Sequence, residues 1–112
     1  MARLSIRIDL GEDARLGPGK VALLEQIAAT GSISAAARTM GMSYKRAWDL
    51  VEEVNGMFDA PLVASQSGGR KGGGAALTPL GADIVTHYRN VVTAAEAASK
   101  PLLARIQKQV RT

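Results

Sequence analysis

Apolar and polar residues first alternate along this chain. Leu4, Ile6, Ile8 and Leu10 are separated by Ser5, Arg7 and Asp9, a period of two that predicts a short N-terminal strand with one buried face. Gly11 to Gly17 reads as a polar loop. From Pro18 the period becomes helical. Val21, Leu24, Ile27 and Ala28 form one face, Pro18 suits a first turn where its missing N–H costs nothing, and Gly31 ends the helix. Two more helices follow in GSISAAARTMGMSYKRAWDLVEEVN, Gly31 to Asn55. Ser32 is placed to cap the first, whose inner face is Ile33, Ala36, Ala37 and Met40. Gly41 stops it by accepting positive φ cheaply. Ser43 caps the second, whose buried stripe is Ala47, Leu50, Val51 and Val54. Ala36, Ala37 and Ala47 are small enough for two helices to cross closely after a short turn. That is the layout of a helix-turn-helix, whose second helix enters the DNA major groove. An αα-hairpin buried in an ordinary helical domain shares the pattern.

Asn55 to Pro61 is a connector with Phe58 as its core anchor. Leu62 to Gln66 and Ala75 to Leu77 are short strands flanking SGGRKGGG, which predicts a β-hairpin with a basic, glycine-rich tip. Thr78 and Pro79 are a capping pair that opens a long last helix. In it, Ile84, Tyr88, Val91, Ala95 and Ala98 are spaced four, three, four, three, a seam typical of helix pairing. Pro101 interrupts it, and Leu102, Leu103, Ile106 and Val110 resume in a shifted phase, which predicts a kink or break there.

Composition narrows the function. The 112 residues suffice for one domain with a modest, mostly aliphatic core. The absence of cysteine excludes disulfides and thiolate metal sites. No apolar run reaches bilayer length, and the N-terminus does not read as a secretory signal, so a cytoplasmic protein without membrane contact is expected. A net charge of +4 and a pI near 9.9 favour an anionic partner. No catalytic set is visible, so an enzyme is not expected. His87 is the single histidine and reads as structural, Glu52 and Glu53 face different directions, and neither a metal site nor a cofactor is expected. The glycine-rich tip lacks the G-K-[ST] ending of a phosphate loop and precedes a strand rather than a helix. A basic wing touching phosphates or the minor groove suits it better.

On a helical wheel of the second helix, Lys45, Asp49 and Glu52 point away from the buried stripe. Tyr44 and Trp48 flank one side and Arg46 the other. Positive charge is confined to the first turn and acids follow, so only the N-terminal end is suited to DNA. The plainer reading pairs Lys45 and Arg46 with Asp49 and Glu53 on a solvated face. Trp48 is expected to pack, in the core or at an interface.

The segment from Leu24 to Leu80 resembles the N-terminal winged helix-turn-helix domain of the ModE family of molybdate-responsive transcriptional regulators. It is more distantly similar to the DNA-binding domain of LysR-type regulators. The resemblance is carried by the Gly31–Asn55 motif and by LV…GGRKGGGAALTPLG after it. It implies a mainly α fold with a small β-wing: one winged helix-turn-helix domain over 1–112, with the helix-turn-helix at 32–55 and the wing at 62–77. A terminal dimerisation helix at 79–100 would extend to about residue 110. It also implies a homodimer on a palindromic operator in double-stranded DNA. Ser34, Ser43, Tyr44, Lys45, Arg46, Arg70, Lys71 and Gly72 would meet the DNA, and Ile84, Tyr88, Val91, Ala95 and Ala98 the second copy. Two departures stand out. Ala64 and Ser65 occupy positions where the family usually carries a charged pair. The family's full-length members continue into molybdate-binding domains whereas this sequence ends at Thr112, so molybdate binding is not expected of it. A rival expectation is a winged-helix module that has lost DNA binding and docks another protein.

Overall fold

The computed structural model describes residues 2–66 and 74–111. Its elements are β1 (Ile8–Asp9), β2 (Arg15–Leu16), α1 (Pro18–Thr30), α2 (Ile33–Thr39), α3 (Tyr44–Met57), β3 (Val63–Gln66), β4 (Gly74–Leu77) and α4 (Pro79–Lys108). This is a winged helix-turn-helix: a small helical core, two antiparallel hairpins and a long last helix.

The N-terminal strand is shorter than its alternation predicts, and the supposed loop after it contains β2. Ile8 pairs with Leu16 and Asp9 with Arg15. The turn closes through the Leu10 amide, which donates to the Ala14 carbonyl at 2.7 Å, with Gly11 and Asp13 at positive φ. Strand pairing needs a partner, and only Ile8 and Asp9 have one; Leu10 is left exposed.

α1 begins at Pro18 and ends on Gly31, whose left-handed backbone lets its amide donate to the Ile27 carbonyl at 2.8 Å. Its buried residues are Val21, Leu23, Leu24 and Ile27. Leu23 replaces the expected Ala28, which is exposed, because α1 is contacted by α2, α3, α4 and β4 and a narrow stripe cannot serve all four. Leu23, Leu24 and Ile27 join Ala36, Ala37, Ala47, Val51, Val54, Leu62, Val63 and Ala75 in the main core, with Phe58 packed against it as expected. Leu16, Val21 and Tyr88 form a second cluster, on which Ile8 rests.

Asn55 joins the end of α3 to the wing. Its side-chain oxygen accepts from the Leu62 and Val63 amides at 2.8 and 3.0 Å, and its amide donates to the Val63 carbonyl at 3.1 Å. Asn55→Ala removes all three bonds and leaves two part-buried donors with only transient water. We expect a loss of about 2 kcal/mol, read as a lower urea midpoint with unchanged slope. A change under about 0.5 kcal/mol would show that water replaces the side chain.

α4 is fixed at its start and free at its end. Tyr88 is buried and its hydroxyl donates to the Ile6 carbonyl at 2.5 Å. Arg89 forms a two-pronged bond with Glu25 of α1, at 2.9 Å from Nε and 2.5 Å from Nη2. That hydrogen bond to Glu25 raises the Arg89 pKa further, against a smaller opposing effect of burial. Beyond this region α4 runs on through Pro101 without ending, so of the predicted kink or break the break is absent. The residue phase is corrected in part. At 100° per residue, Ile84, Tyr88, Val91, Ala95, Ala98, Leu102 and Ile106 all fall within roughly 80° of arc, whereas Leu103 lies about 100° from Ile84, in the shifted phase, and Val110 lies beyond the helix. Among the described residues, no helix is long and apolar enough to cross a membrane.

Candidate nucleic-acid interface

Two serines set the helix-turn-helix. Ser32 Oγ accepts from the Ala35 amide at 2.9 Å and Ser43 Oγ from the Arg46 amide at 3.1 Å, so both helices start where the sequence places their caps. Between them Gly41 takes φ +66°, and the Met42 amide returns to the Ala37 carbonyl at 3.0 Å. Ala36, Ala37 and Ala47 are buried where α2 and α3 meet. Ala47, Val51 and Val54 are buried as predicted, whereas Leu50 is half-buried.

The opposite face of α3 carries the candidate reading residues. Ser43, Tyr44, Lys45 and Arg46 are all exposed. Lys45 donates to Asp49 Oδ2 at 3.1 Å, one of the two pairings of the plainer reading. The other is not made: Glu53 instead holds Lys20 at 2.8 Å. Trp48 does not pack in the core; it is 44% exposed and Tyr44 is 55% exposed. Such a flank position at the first two turns cannot reach a core already filled by Ala47 and Val51. Ser34 lies on α2, where its hydroxyl accepts from Arg38 Nη1 at 3.1 Å.

Arg46 opens onto a feature that its sequence neighbours do not announce. It lines a surface concavity with Arg7 and Arg15 of the N-terminal hairpin and Lys20 of α1. Asp9 lies 3.1 Å from Arg7 and 3.7 Å from Arg15, and Glu53 pairs with Lys20. Four cations against two carboxylates leave the concavity with a net charge of about +2. The four come from three separate stretches of sequence, so no charge run marks them; only the unforeseen β1–β2 pairing brings Arg7 and Arg15 there.

The wing is anchored beside the helix-turn-helix. β3 and β4 pair in register from Val63↔Leu77 to Gln66↔Gly74. The Ala75 amide donates to the Gly31 carbonyl at 2.8 Å, tying β4 to the turn before α2. Arg70, Lys71 and Gly72 lie outside the described residues. Of the five seam residues, Ile84 and Tyr88 pack into the chain's own second cluster. Val91 and Ala98 are exposed and Ala95 is half-buried.

Known proteins match this arrangement. Residues 19–82 match the family described as "Bacterial regulatory helix-turn-helix protein, lysR family". The chain is 47% identical over 97 residues to the molybdenum-pterin-binding protein MopB of Rhodobacter capsulatus, covering 87% of this chain and 34% of that protein. It is 38% identical over 108 residues to the molybdenum transport protein ModE of Azotobacter vinelandii, covering 96% and 39% respectively. It is also 38% identical over 87 residues to the DNA-binding transcriptional dual regulator ModE of Escherichia coli K12, covering 78% and 33%. The chain thus spans between a third and two-fifths of the length of these relatives. With α2, α3 and the β3–β4 wing all inside the matched segment, the chain belongs to the bacterial regulatory helix-turn-helix proteins of the lysR family, and its resemblance within them is to the ModE-type regulators.

Proposed function

We propose that this chain is a DNA-binding transcription regulator that recognises duplex DNA through the first turns of α3. The observation that carries the reading is the asymmetry of α3. Its inner face is locked into the core while Ser43, Tyr44, Lys45 and Arg46 stand exposed at its capped N-terminus, the end that a recognition helix inserts. The acids Asp49, Glu52 and Glu53 follow in later turns and keep those turns away from phosphates. The concavity of Arg7, Arg15, Lys20 and Arg46 suits the phosphate rail beside the groove. Arg70 and Lys71, carried between β3 and β4 in the sequence, suit the backbone on the wing side. Ser34, at the start of α2, suits a further phosphate contact.

The active unit in this proposal is a homodimer. Two copies related by a two-fold axis present two α3 helices to the halves of a palindromic operator. The molybdenum in the relatives' names belongs to proteins more than twice as long, and no molybdate site is proposed for this chain. A cytoplasmic location follows from the proposed partner.

The test is a titration of labelled duplex DNA. Lys45→Ala with Arg46→Ala is expected to weaken binding of a selected duplex by about 1–3 kcal/mol for each base-reading side chain removed, with circular dichroism unchanged. Binding by the unaltered chain should fall steeply with salt, with a log–log slope of about −0.9 per phosphate neutralised. Salt-insensitive binding, or a double variant of undiminished affinity, would remove α3 as the reader and favour a protein-docking role.

A further inference from the structure

Resting on the reading that α3 meets duplex DNA, we infer that Trp48 and Tyr44 form an apolar edge of the recognition helix that reads thymine methyl groups in the major groove. The two aromatics stand four residues apart, so they occupy one side of α3 in its first two turns. Neither belongs to either core cluster, and they are 44% and 55% exposed. Every other exposed side chain within α3 is charged: Lys45, Arg46, Asp49, Glu52 and Glu53. A phenol and an indole left in water beside such residues are poorly solvated, and the fold gains nothing from their exposure.

The chemistry of the groove selects the complement. Base edges in the major groove present hydrogen-bond donors and acceptors with one apolar exception, the C5 methyl of thymine. A helix with its side chains is about 10–12 Å across, and the groove is about 12 Å wide. Residues on the flank of the helix are therefore held against the groove, as well as those pointing straight out. The aromatic side is continuous with Ser43 and Lys45 at the inserted end, so it enters with them. A second copy of the protein fits this patch less well. Two-fold contact there would bring the Lys45 and Arg46 of both copies together, and like charges across an interface are repulsive.

The experiment uses the whole chain and a duplex selected by it from a random pool. Each thymine of that duplex is replaced in turn by deoxyuridine, which removes the methyl and keeps the pairing and the O4 acceptor. For the unaltered protein, affinity should fall about fourfold at one or more positions, the worth of one buried methyl. Trp48→Ala should bind the thymine duplex more weakly and lose its sensitivity at those positions, and Trp48→Phe should keep part of it. Trp48 is the single tryptophan, so its emission should also change on saturation with the selected duplex. Deoxyuridine without effect on the unaltered protein, or with equal effect on Trp48→Ala, overturns the inference while leaving α3 as a DNA reader. A Trp48→Ala variant altered in oligomeric state by light scattering overturns it in favour of a protein contact. A pool that yields no preferred duplex overturns the DNA reading itself, and this inference with it.

Discussion

Gly81→Ala should cost the fold about 3 kcal/mol, although helix propensity alone predicts a gain of about 1 kcal/mol from the same change. Gly81 sits in the first turn of α4, directly against the connector that precedes β3. A methyl group built there would lie 2.2 Å from the Leu62 carbonyl oxygen and 3.0 Å from its carbon. Both are backbone atoms, so no side-chain rotation relieves the clash. Nor is Leu62 free to retreat. Its side chain is fully buried, its amide is held by Asn55, and its carbonyl accepts from the Thr78 amide at 2.9 Å. Thr78 in turn caps α4, its Oγ1 accepting from the Gly81 amide at 3.0 Å and donating to the Pro61 carbonyl at 2.8 Å. Moving α4 outward would break that cap and loosen the junction that fixes the wing. Gly56→Ala is the control. Gly56 is also helical, but nothing lies within 4 Å of the added methyl, so a gain of about 0.5–1 kcal/mol is expected. Urea unfolding of both variants at one protein concentration checks the pair. Two gains of similar size would mean that α4 shifts freely on Leu62.

The helix-turn-helix was legible in the sequence because its determinants are local. Ser32, Ser43 and Gly41 act within a few residues of themselves, and all three sit where their chemistry places them. The β3–β4 pairing was legible for a similar reason, a glycine-rich stretch of sequence between two short strand-like runs. What escaped depends on distant partners. The β1–β2 hairpin rests on Leu16 finding Val21 and Tyr88, the last of which is 72 positions away. Arg7, Arg15, Lys20 and Arg46 converge only after that hairpin forms. Of the two places where Trp48 could pack, core or interface, the core is ruled out because the inner face of α3 is already complete without it. Pro101 allowed a kink or a break, and the local pattern could not choose between them. Its ring removes one hydrogen bond from a helix, yet α4 carries on past it, so the break is absent.

Leu102→Glu combined with Ile106→Glu should leave the fold intact, convert the proposed homodimer to a monomer, and weaken its proposed binding to a palindromic operator by a factor on the order of 10²–10⁴. The reason lies in how the stripe on α4 divides. Ile84 and Tyr88, at its near end, are covered by the chain itself. Val91, Leu102 and Ile106 continue the same stripe but are 45%, 57% and 64% exposed. Half of an apolar seam is therefore filled from within and half is open along a helix of 30 residues, about 45 Å long. An open stripe of that length, with Arg105 at its border, has the form of a pairing surface. In the proposed homodimer, pairing would act on DNA binding through arithmetic rather than new contacts. Once one α3 is seated, the second is held near its own half-site, roughly 34–36 Å or a multiple away, and binds as an intramolecular event. The variant lies far from α3, so a single half-site should be bound as before. Light scattering at micromolar concentration reads the assembly, and titrations with palindromic and half-site duplexes read its consequence. The expected pattern is a monomer, a much weaker complex with the palindrome and an unchanged one with the half-site. A variant that stays dimeric moves the interface elsewhere on the chain, and equal weakening on both duplexes would mean that the distal end of α4 itself touches DNA.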